Sequence, residues 1–279
     1  MTLKTALIQL RSGREIPRNI ADTSAFIREA AGRGARFVAT PEMTNILEPD
    51  RPRLRSLVRP QADDLAVAAF SALAKDHGLW LLAGSLALKA EGDKLANVSL
   101  LFDPNGSIAA RYAKIHLFDV DLPDGQSLRE SAAYSGGDIV PVVPIEKATL
   151  GLTICYDVRF PALYLALAQA GAEIITVPSA FTRVTGEAHW HVLLQARAIE
   201  TGSYILAPAQ GGLHESGRET FGATLAVSPW GEIIAEGGRD PGIVMATLDM
   251  RKVHEARRRI PALTHGRFVN LKDDTLVAT

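Results

Sequence analysis

The amino-acid sequence predicts an α/β protein folded as a four-layer α-β-β-α sandwich with an internal pseudo-two-fold, and a repeat carries that prediction. Gly34-Ala35-Arg36-Phe37-Val38-Ala39-Thr40-Pro41 follows a helix-like stretch, residues 19–31. Gly171-Ala172-Glu173-Ile174-Ile175-Thr176-Val177-Pro178 follows another, residues 163–170. Both read as a helix, a Gly-Ala break, a short buried strand and a proline. A second echo comes later in each half. Asp103-Pro104-Asn105-Gly106-Ser107-Ile108 and Ser228-Pro229-Trp230-Gly231-Glu232-Ile233 both read as a turn between two hairpin strands. A third observation is geometric: a sheet with helices on one face needs an apolar partner for the other, and the second half supplies it.

The elements follow in order. Ala6-Leu7-Ile8-Gln9 is strand-like, and after the first helix residues 36–40 form a strand leading into Glu42. A helix over residues 62–77 stops at Gly78, and its counterpart over residues 188–201 stops at Gly202, glycine being suited to a helix C-terminus. Residues 108–112 form a strand leading into Lys114. The apolar run before Cys155 reads as a buried strand, and Pro161 opens a helical stretch, residues 162–170. Residues 250–260 form a charged helix outside the repeat, ended by Pro261. The expected organisation is one domain, residues 1–261, and a C-terminal tail, residues 262–279. Leu263, Phe268, Val269 and Leu271 of that tail have no place in either half, so they are expected to bury themselves at a homodimer interface near residues 189–201.

Composition narrows the functional classes. The chain is 47% hydrophobic, enough for a sizeable core, and carries no low-complexity linker that would divide it. A net charge of −1 argues against non-specific nucleic-acid binding, and Arg251-Lys252 with Arg257-Arg258-Arg259 reads as a solvated helix face. No segment is long enough to span a membrane and no leader pattern opens the chain. The single cysteine rules out an internal disulfide and suits a reducing compartment, so a cytoplasmic location is expected.

Three motifs carry chemistry. Cys155 lies in Gly151-Leu152-Thr153-Ile154-Cys155-Tyr156-Asp157-Val158-Arg159-Phe160-Pro161, at a strand exit where turn amides can favour a thiolate and hold an oxyanion. A lone cysteine also reads as a small buried hydrophobe, and its position does not choose between the two. Thr40-Pro41-Glu42-Met43 and Arg111-Tyr112-Ala113-Lys114-Ile115-His116 each place one charge at a strand end. Singly these are solvated charges; together, a carboxylate, an ammonium and a thiol make an acyl-transfer set.

With these motifs the chain resembles the nitrilase superfamily of carbon–nitrogen hydrolases, whose signature is a Glu-Lys-Cys triad in this order. The resemblance implies the same sandwich fold, with Glu42 as general base, Lys114 as the cation beside the reacting carbonyl and Cys155 as nucleophile. It also implies that Glu130, in Ser127-Leu128-Arg129-Glu130-Ser131, holds the lysine and substrate in place. The reaction so implied is hydrolysis of a small amide through a thioester, with the oxyanion on Lys114 and the Tyr156 amide, and without metal or cofactor. By the repeat, residues 179–182 lie near Glu42, so Phe181 and Thr182, with Met43 and Tyr156, are candidate substrate-binding residues. Met43 and Phe181 read equally as core. Asp157 is expected to pair with Arg159 or cap the following helix. His189 and His191 are two apart on a helix and so do not share a metal-binding face. His189 and Trp190 are expected to be structural or at a dimer contact.

Within the superfamily the chain looks like the Nit branch of small-substrate amidases. Cys155-Tyr156-Asp157-Val158-Arg159-Phe160-Pro161, Ala188-His189-Trp190 and Leu194-Gln195-Ala196-Arg197-Ala198-Ile199-Glu200-Thr201 are typical of it. Members of that branch act on deaminated glutathione or on α-ketoglutaramate. Ala198-Ile199-Glu200-Thr201 and Ala209-Gln210-Gly211-Gly212-Leu213-His214 lean toward the first. A catalytically silent partner-binding module of the same fold is the non-enzyme alternative. Thr44-Asn45 departs from the aromatic residue expected after the glutamate.

Overall fold

The computed structural model describes residues 2–123 and 125–267. The first half runs β1 (Thr2–Gln9), α1 (Ile16–Gly32), β2 (Phe37–Ala39), α2 (Arg51–Leu57), α3 (Leu65–His77), β3 (Trp80–Lys89), β4 (Leu95–Phe102) and β5 (Ile108–Ala113). A connecting stretch carries β6 (Asp119–Asp121), β7 (Ser127–Arg129) and β8 (Tyr134–Ser135). The second half runs β9 (Val142–Ile145), β10 (Ala148–Leu152), α4 (Pro161–Gln169), β11 (Ile174–Thr176), α5 (Arg183–Thr201) and β12 (Tyr204–Ala207), then β13 (Gly211–Leu213), β14 (Glu219–Phe221), β15 (Leu225–Val227) and β16 (Ile233–Glu236). The described chain closes with β17 (Gly242–Asp249), α6 (Arg251–Arg259) and α7 (Ala262–His265). Phe268, Val269 and Leu271 lie outside the described residues.

The two large sheets repeat one plan. One is ordered β17-β1-β2-β3-β4-β5, with β8 beside β4; the other is ordered β9-β10-β11-β12-β15-β16. In each, three central strands run parallel and antiparallel strands flank them. Side chains alternate across the first sheet. Leu3, Leu7, Phe37, Leu82 and Leu101 join the core shared with Leu150, Leu152, Ile174 and Leu206 of the second. Ala6, Ile8, Val38, Leu81 and Val98 pack under α1 and α3. Fully burying a side chain of this size contributes about 1.5–3 kcal/mol, so strand alternation both selects the faces and holds the layers together. The expected α-β-β-α order is the observed one.

Local chemistry sets the helix boundaries. The helix expected from residue 62 starts at Leu65, because the Asp64 carboxylate accepts from Ala66 N–H at 2.9 Å and Val67 N–H at 3.1 Å. The helix expected from residue 188 starts earlier, at Arg183, where the Thr182 side chain caps Thr185 N–H. Gly78 and Gly202 end their helices in the left-handed region, at φ 59° and 58°. The short α2 escaped the sequence reading; Asp50 caps it and Pro52 lies in its first turn.

Candidate active site

β10 delivers Cys155 into a 3-10 turn, Cys155–Arg159, that leads to α4. The cysteine adopts φ 50°, an uncommon conformation for a side-chain-bearing residue, and its N–H donates to Pro178 O at 2.9 Å. Such a residue costs on the order of 1–3 kcal/mol, so its surroundings must enforce it. Asp157 does this from within the turn. Its Oδ2 accepts from Ile154 N–H at 2.8 Å and from Tyr112 O–H at 2.6 Å. Its Oδ1 lies 3.2 Å from His116 N–H and 2.7 Å from His116 Nδ1. The expected Asp157–Arg159 pair is absent: the carboxylate turns inward to the segment that carries Lys114, and Arg159 meets His189 Nδ1 at 3.1 Å. One buried side chain thus ties the cysteine turn to the lysine segment.

Glu42 leaves β2 through a loop that crosses β3 where β3 bulges. Gly84 is required there, since a Cβ would fall 1.6 Å from Thr40 O. Ser85 then receives the loop, with its Oγ accepting from Met43 N–H at 3.1 Å and its N–H donating to Pro41 O at 3.1 Å. Lys114 follows β5. Its Nζ donates to Glu42 Oε1 at 2.9 Å and to Glu130 Oε2 at 2.8 Å, with the lysine only 2% exposed. Glu130 Oε2 is fixed in turn by Phe118 N–H at 2.7 Å, and Glu42 Oε2 by Ala180 N–H at 2.8 Å. Asn97 Nδ2 bridges both glutamates, at 2.9 and 3.1 Å.

The charge states follow from this packing. Burial pushes the Glu42 carboxyl upward, but the Lys114 ammonium and the hydrogen bonds around it outweigh burial and hold it below the usual range. Burial opposes the Lys114 charge too; Glu130 and Glu42 override it and raise the lysine well above its ordinary value. Burial, and then the Glu42 carboxylate beside it, push the Cys155 thiol up. A backbone amide, that of Ala180, does favour the thiolate, but burial and Glu42 outweigh it. The resting set is a carboxylate, an ammonium and a neutral thiol.

These groups form the buried end of a pocket of about 690 Å³. Met43, Tyr156, Phe181 and Thr182, the residues singled out in the sequence, all line it with Glu42, Lys114, Glu130 and Cys155. Phe181 and Met43 serve the core as well: Phe181 packs on Trp190 at 4.9 Å between ring centroids, and Met43 Sδ lies 3.8 Å from Tyr134 O–H. Trp190 is structural, donating its ring N–H to Ala223 O at 2.8 Å. Sequence reasoning missed Asn97, Tyr134 and the β13–β14 hairpin, whose residues 216–219 line the pocket. Asn97 was detectable, because it interrupts a strand that is otherwise almost wholly apolar. Among the described residues no three His, Cys, Asp or Glu side chains gather as metal ligands would.

Comparison with known proteins adds a likeness over nearly the full chain. The family model described as Carbon-nitrogen hydrolase matches residues 4–258. A deaminated glutathione amidase of Synechocystis sp. is 39% identical over 271 residues, 95% of this chain and 98% of its own. The NitFhit protein of C. elegans superposes with a TM-score of 0.89 at 33% identity, over 95% of this chain and 65% of that longer one. An amidase from Nesterenkonia sp. AN1, solved after Michael addition of acrylamide at its active site cysteine, superposes with a TM-score of 0.77 at 26% identity. That match covers 93% of this chain and 98% of the other.

Proposed function

The chain belongs to the carbon–nitrogen hydrolase family and hydrolyses carbon–nitrogen bonds other than peptide bonds, and from that premise we propose an amidase of the deaminated-glutathione type that works through a Cys155 thioester. The observation that carries the reading is the buried Lys114 ammonium, held by Glu42 and Glu130 at the end of the pocket where Cys155 lies. An ammonium has three N–H donors; two go to the glutamates and one is left for a reacting oxygen. Glu42, already ionised, takes the thiol proton as Sγ attacks the amide carbon. The oxyanion rests on Lys114 and the Tyr156 N–H. Glu42 returns the proton to the leaving nitrogen, ammonia or an amine departs, and a thioester remains on Cys155. Glu42 then deprotonates water, which attacks the thioester; the acid leaves and the sulfur recovers its proton. Glu130, fixed by Phe118 N–H and Asn97, keeps Lys114 charged and placed. The active site cysteine of the Nesterenkonia amidase supports the same role for the one cysteine of this chain.

The test is product release from a panel of deaminated-glutathione-type amides, α-keto acid amides and nitriles, with Cys155→Ala as control. Hydrolysis of the first class, abolished by Cys155→Ala and by stoichiometric iodoacetamide labelling of Cys155, is the expected result. A labelled enzyme that still turns over would remove the thioester from the scheme.

The same proposal includes a homodimer, a single hydrolase domain over residues 1–261 with a tail beyond it, and a cytoplasmic location. Val192 and Ile199 on α5, Trp230 and Ile260 expose between 50% and 67% of their surfaces, an apolar face that favours self-association. Among the described residues, no helix is long and apolar enough to cross a membrane. Light scattering at micromolar concentration tests the dimer, and a monomeric mass would rule it out.

A further inference from the structure

β4 reads Leu95-Ala96-Asn97-Val98-Ser99-Leu100-Leu101-Phe102, and Asn97 is its one amide. Strand alternation puts Asn97 in step with Leu101, on the face between the two sheets, where it is 1% exposed. It holds the charged set twice. Its backbone O accepts from Lys114 N–H at 2.9 Å. Its side-chain Nδ2 donates to Glu42 Oε1 at 2.9 Å and to Glu130 Oε1 at 3.1 Å, so both amide hydrogens go to carboxylates. The buried Oδ1 has no hydrogen-bond partner among the described residues. An orphaned acceptor is destabilising, and flipping the amide would only turn that oxygen onto two carboxylates. The side chain is thus oriented for the glutamates at the expense of its own oxygen, which marks a residue kept for the site rather than for packing.

The two glutamates need such a donor. They come within reach of one nitrogen, and the Lys114 ammonium neutralises only one of their charges. Buried carboxylates this close tend to share a proton, and a protonated Glu42 could not take the proton of the thiol. The remaining groups around the pair do little to prevent it. Cys155 is a neutral thiol beside Glu42. Burial, and then Glu130 and Glu42, push the Tyr134 phenol up, so it too is neutral. Arg218, on the β13–β14 hairpin, donates to Ala180 O at 2.7 Å rather than to either carboxylate. Ala180 N–H serves Glu42 and Phe118 N–H serves Glu130, one glutamate each. Besides Lys114, Asn97 is the one side chain among the described residues that donates to both. Its bond is among those that hold the Glu42 carboxyl low.

We propose that Asn97 is a positioning residue that holds Glu42 and Glu130 ionised side by side, so that the base is not lost to a proton shared between the two glutamates. This rests on the amidase reading above and deepens it, by naming the side chain on which the state of the base depends. Lys114 supplies charge to the pair; Asn97 supplies two further N–H donors without adding a second cation that would compete for the oxyanion.

The experiment compares Asn97→Leu, which removes both donors, with Asn97→Asp, which keeps the shape and puts a third carboxylate in their place. Neither touches the backbone bond to Lys114 N–H. Two pH profiles are taken for wild type and each variant: kcat/KM on deaminated glutathione, and the rate of iodoacetamide labelling at Cys155, which uses Glu42 as base but needs no amide turnover. The acid limb, below about 4.3 in wild type, should rise by about one pH unit in Asn97→Leu, the effect of one hydrogen bond to a charged group. It should rise further in Asn97→Asp, where three carboxylates face one ammonium. A merely structural role gives the opposite order, with leucine the harsher change and aspartate the milder, and lowers rates without moving either limb. Limbs unmoved in both variants, or moved further by leucine than by aspartate, would overturn the proposal. If Asn97→Leu does not fold, the limb of Asn97→Asp against wild type decides alone. If wild type does not hydrolyse the amide, the amidase reading falls, and the labelling profiles still decide the role of Asn97.

Discussion

The two halves of the molecule share a framework and divide the chemistry. Phe37 and Ile174 open equivalent strands, opposite Thr5 and Leu150. Both strands run into the same exit: Thr40 N–H donates to Leu82 O at 3.0 Å, and Val177 N–H donates to Leu206 O at 2.8 Å. Counted from those anchors, Glu42 of the first half falls on Ser179 of the second, and Cys155 of the second on Leu10 of the first. Ser179 is buried with its Oγ on Val177 O at 2.9 Å, and Leu10 is core. The apolar period that builds a sheet is repeated, whereas the reacting groups are not. Glu42 and Lys114 come from one half and Cys155 from the other, so neither half alone could bring the three together.

The largest expected effect comes from breaking the charge bridge. Lys114→Met removes the ammonium yet fits an apolar chain into the same space, and turnover should fall by about a hundredfold or more, as loss of an oxyanion donor does. Near-normal rates measured on folded protein would reduce Lys114 to a structural charge. The comparison of halves is tested directly by treating matched positions. Glu42→Gln should lower both ammonia release and thioester hydrolysis by about a hundredfold or more, with no initial burst. Ser179→Ala should leave kcat within about threefold and lower stability by about 1 kcal/mol, the worth of one buried hydrogen bond. Equal losses at the two positions would show that the fold, not the carboxylate, sets the rate.

The smallest effect is a flat pH profile. Glu42 is held low, so its ionised form and the stability it contributes persist above the ordinary glutamate value and fail only as pH drops below about 4.3. Lys114 is held high, so its charge persists below the ordinary lysine value and fails only above about 10.4. kcat/KM should therefore be nearly constant through neutrality. A bell centred near pH 7 would mean that another group carries the proton.

Much of this was legible in residues 34–41 and 171–178, because a repeated break-strand-proline pattern is local and survives without knowledge of packing. Glu42, Lys114 and Cys155 were legible by their motifs. The Asp157 contacts were not: Tyr112 and His116 lie more than forty residues earlier, and no spacing rule links them. The strength of the bias toward a neutral thiol was not legible for a related reason. A turn viewed alone offers amides, whereas the folded site also brings the Glu42 carboxylate to the sulfur.

The pairing of two glutamates with one lysine bears on what happens after the bond is cut. In the proposed reaction an uncharged amide group approaches Cys155 without meeting net repulsion, but hydrolysis creates an acid that ionises to a carboxylate in the same place, beside Glu42 and Glu130. The excess negative charge then works against retention, and in a buried setting that repulsion is little screened. The site is thereby biased toward emptying itself, and the product acid should inhibit only at concentrations well above the KM of its amide. Progress curves run with added acid would measure this directly, and inhibition near KM would contradict it.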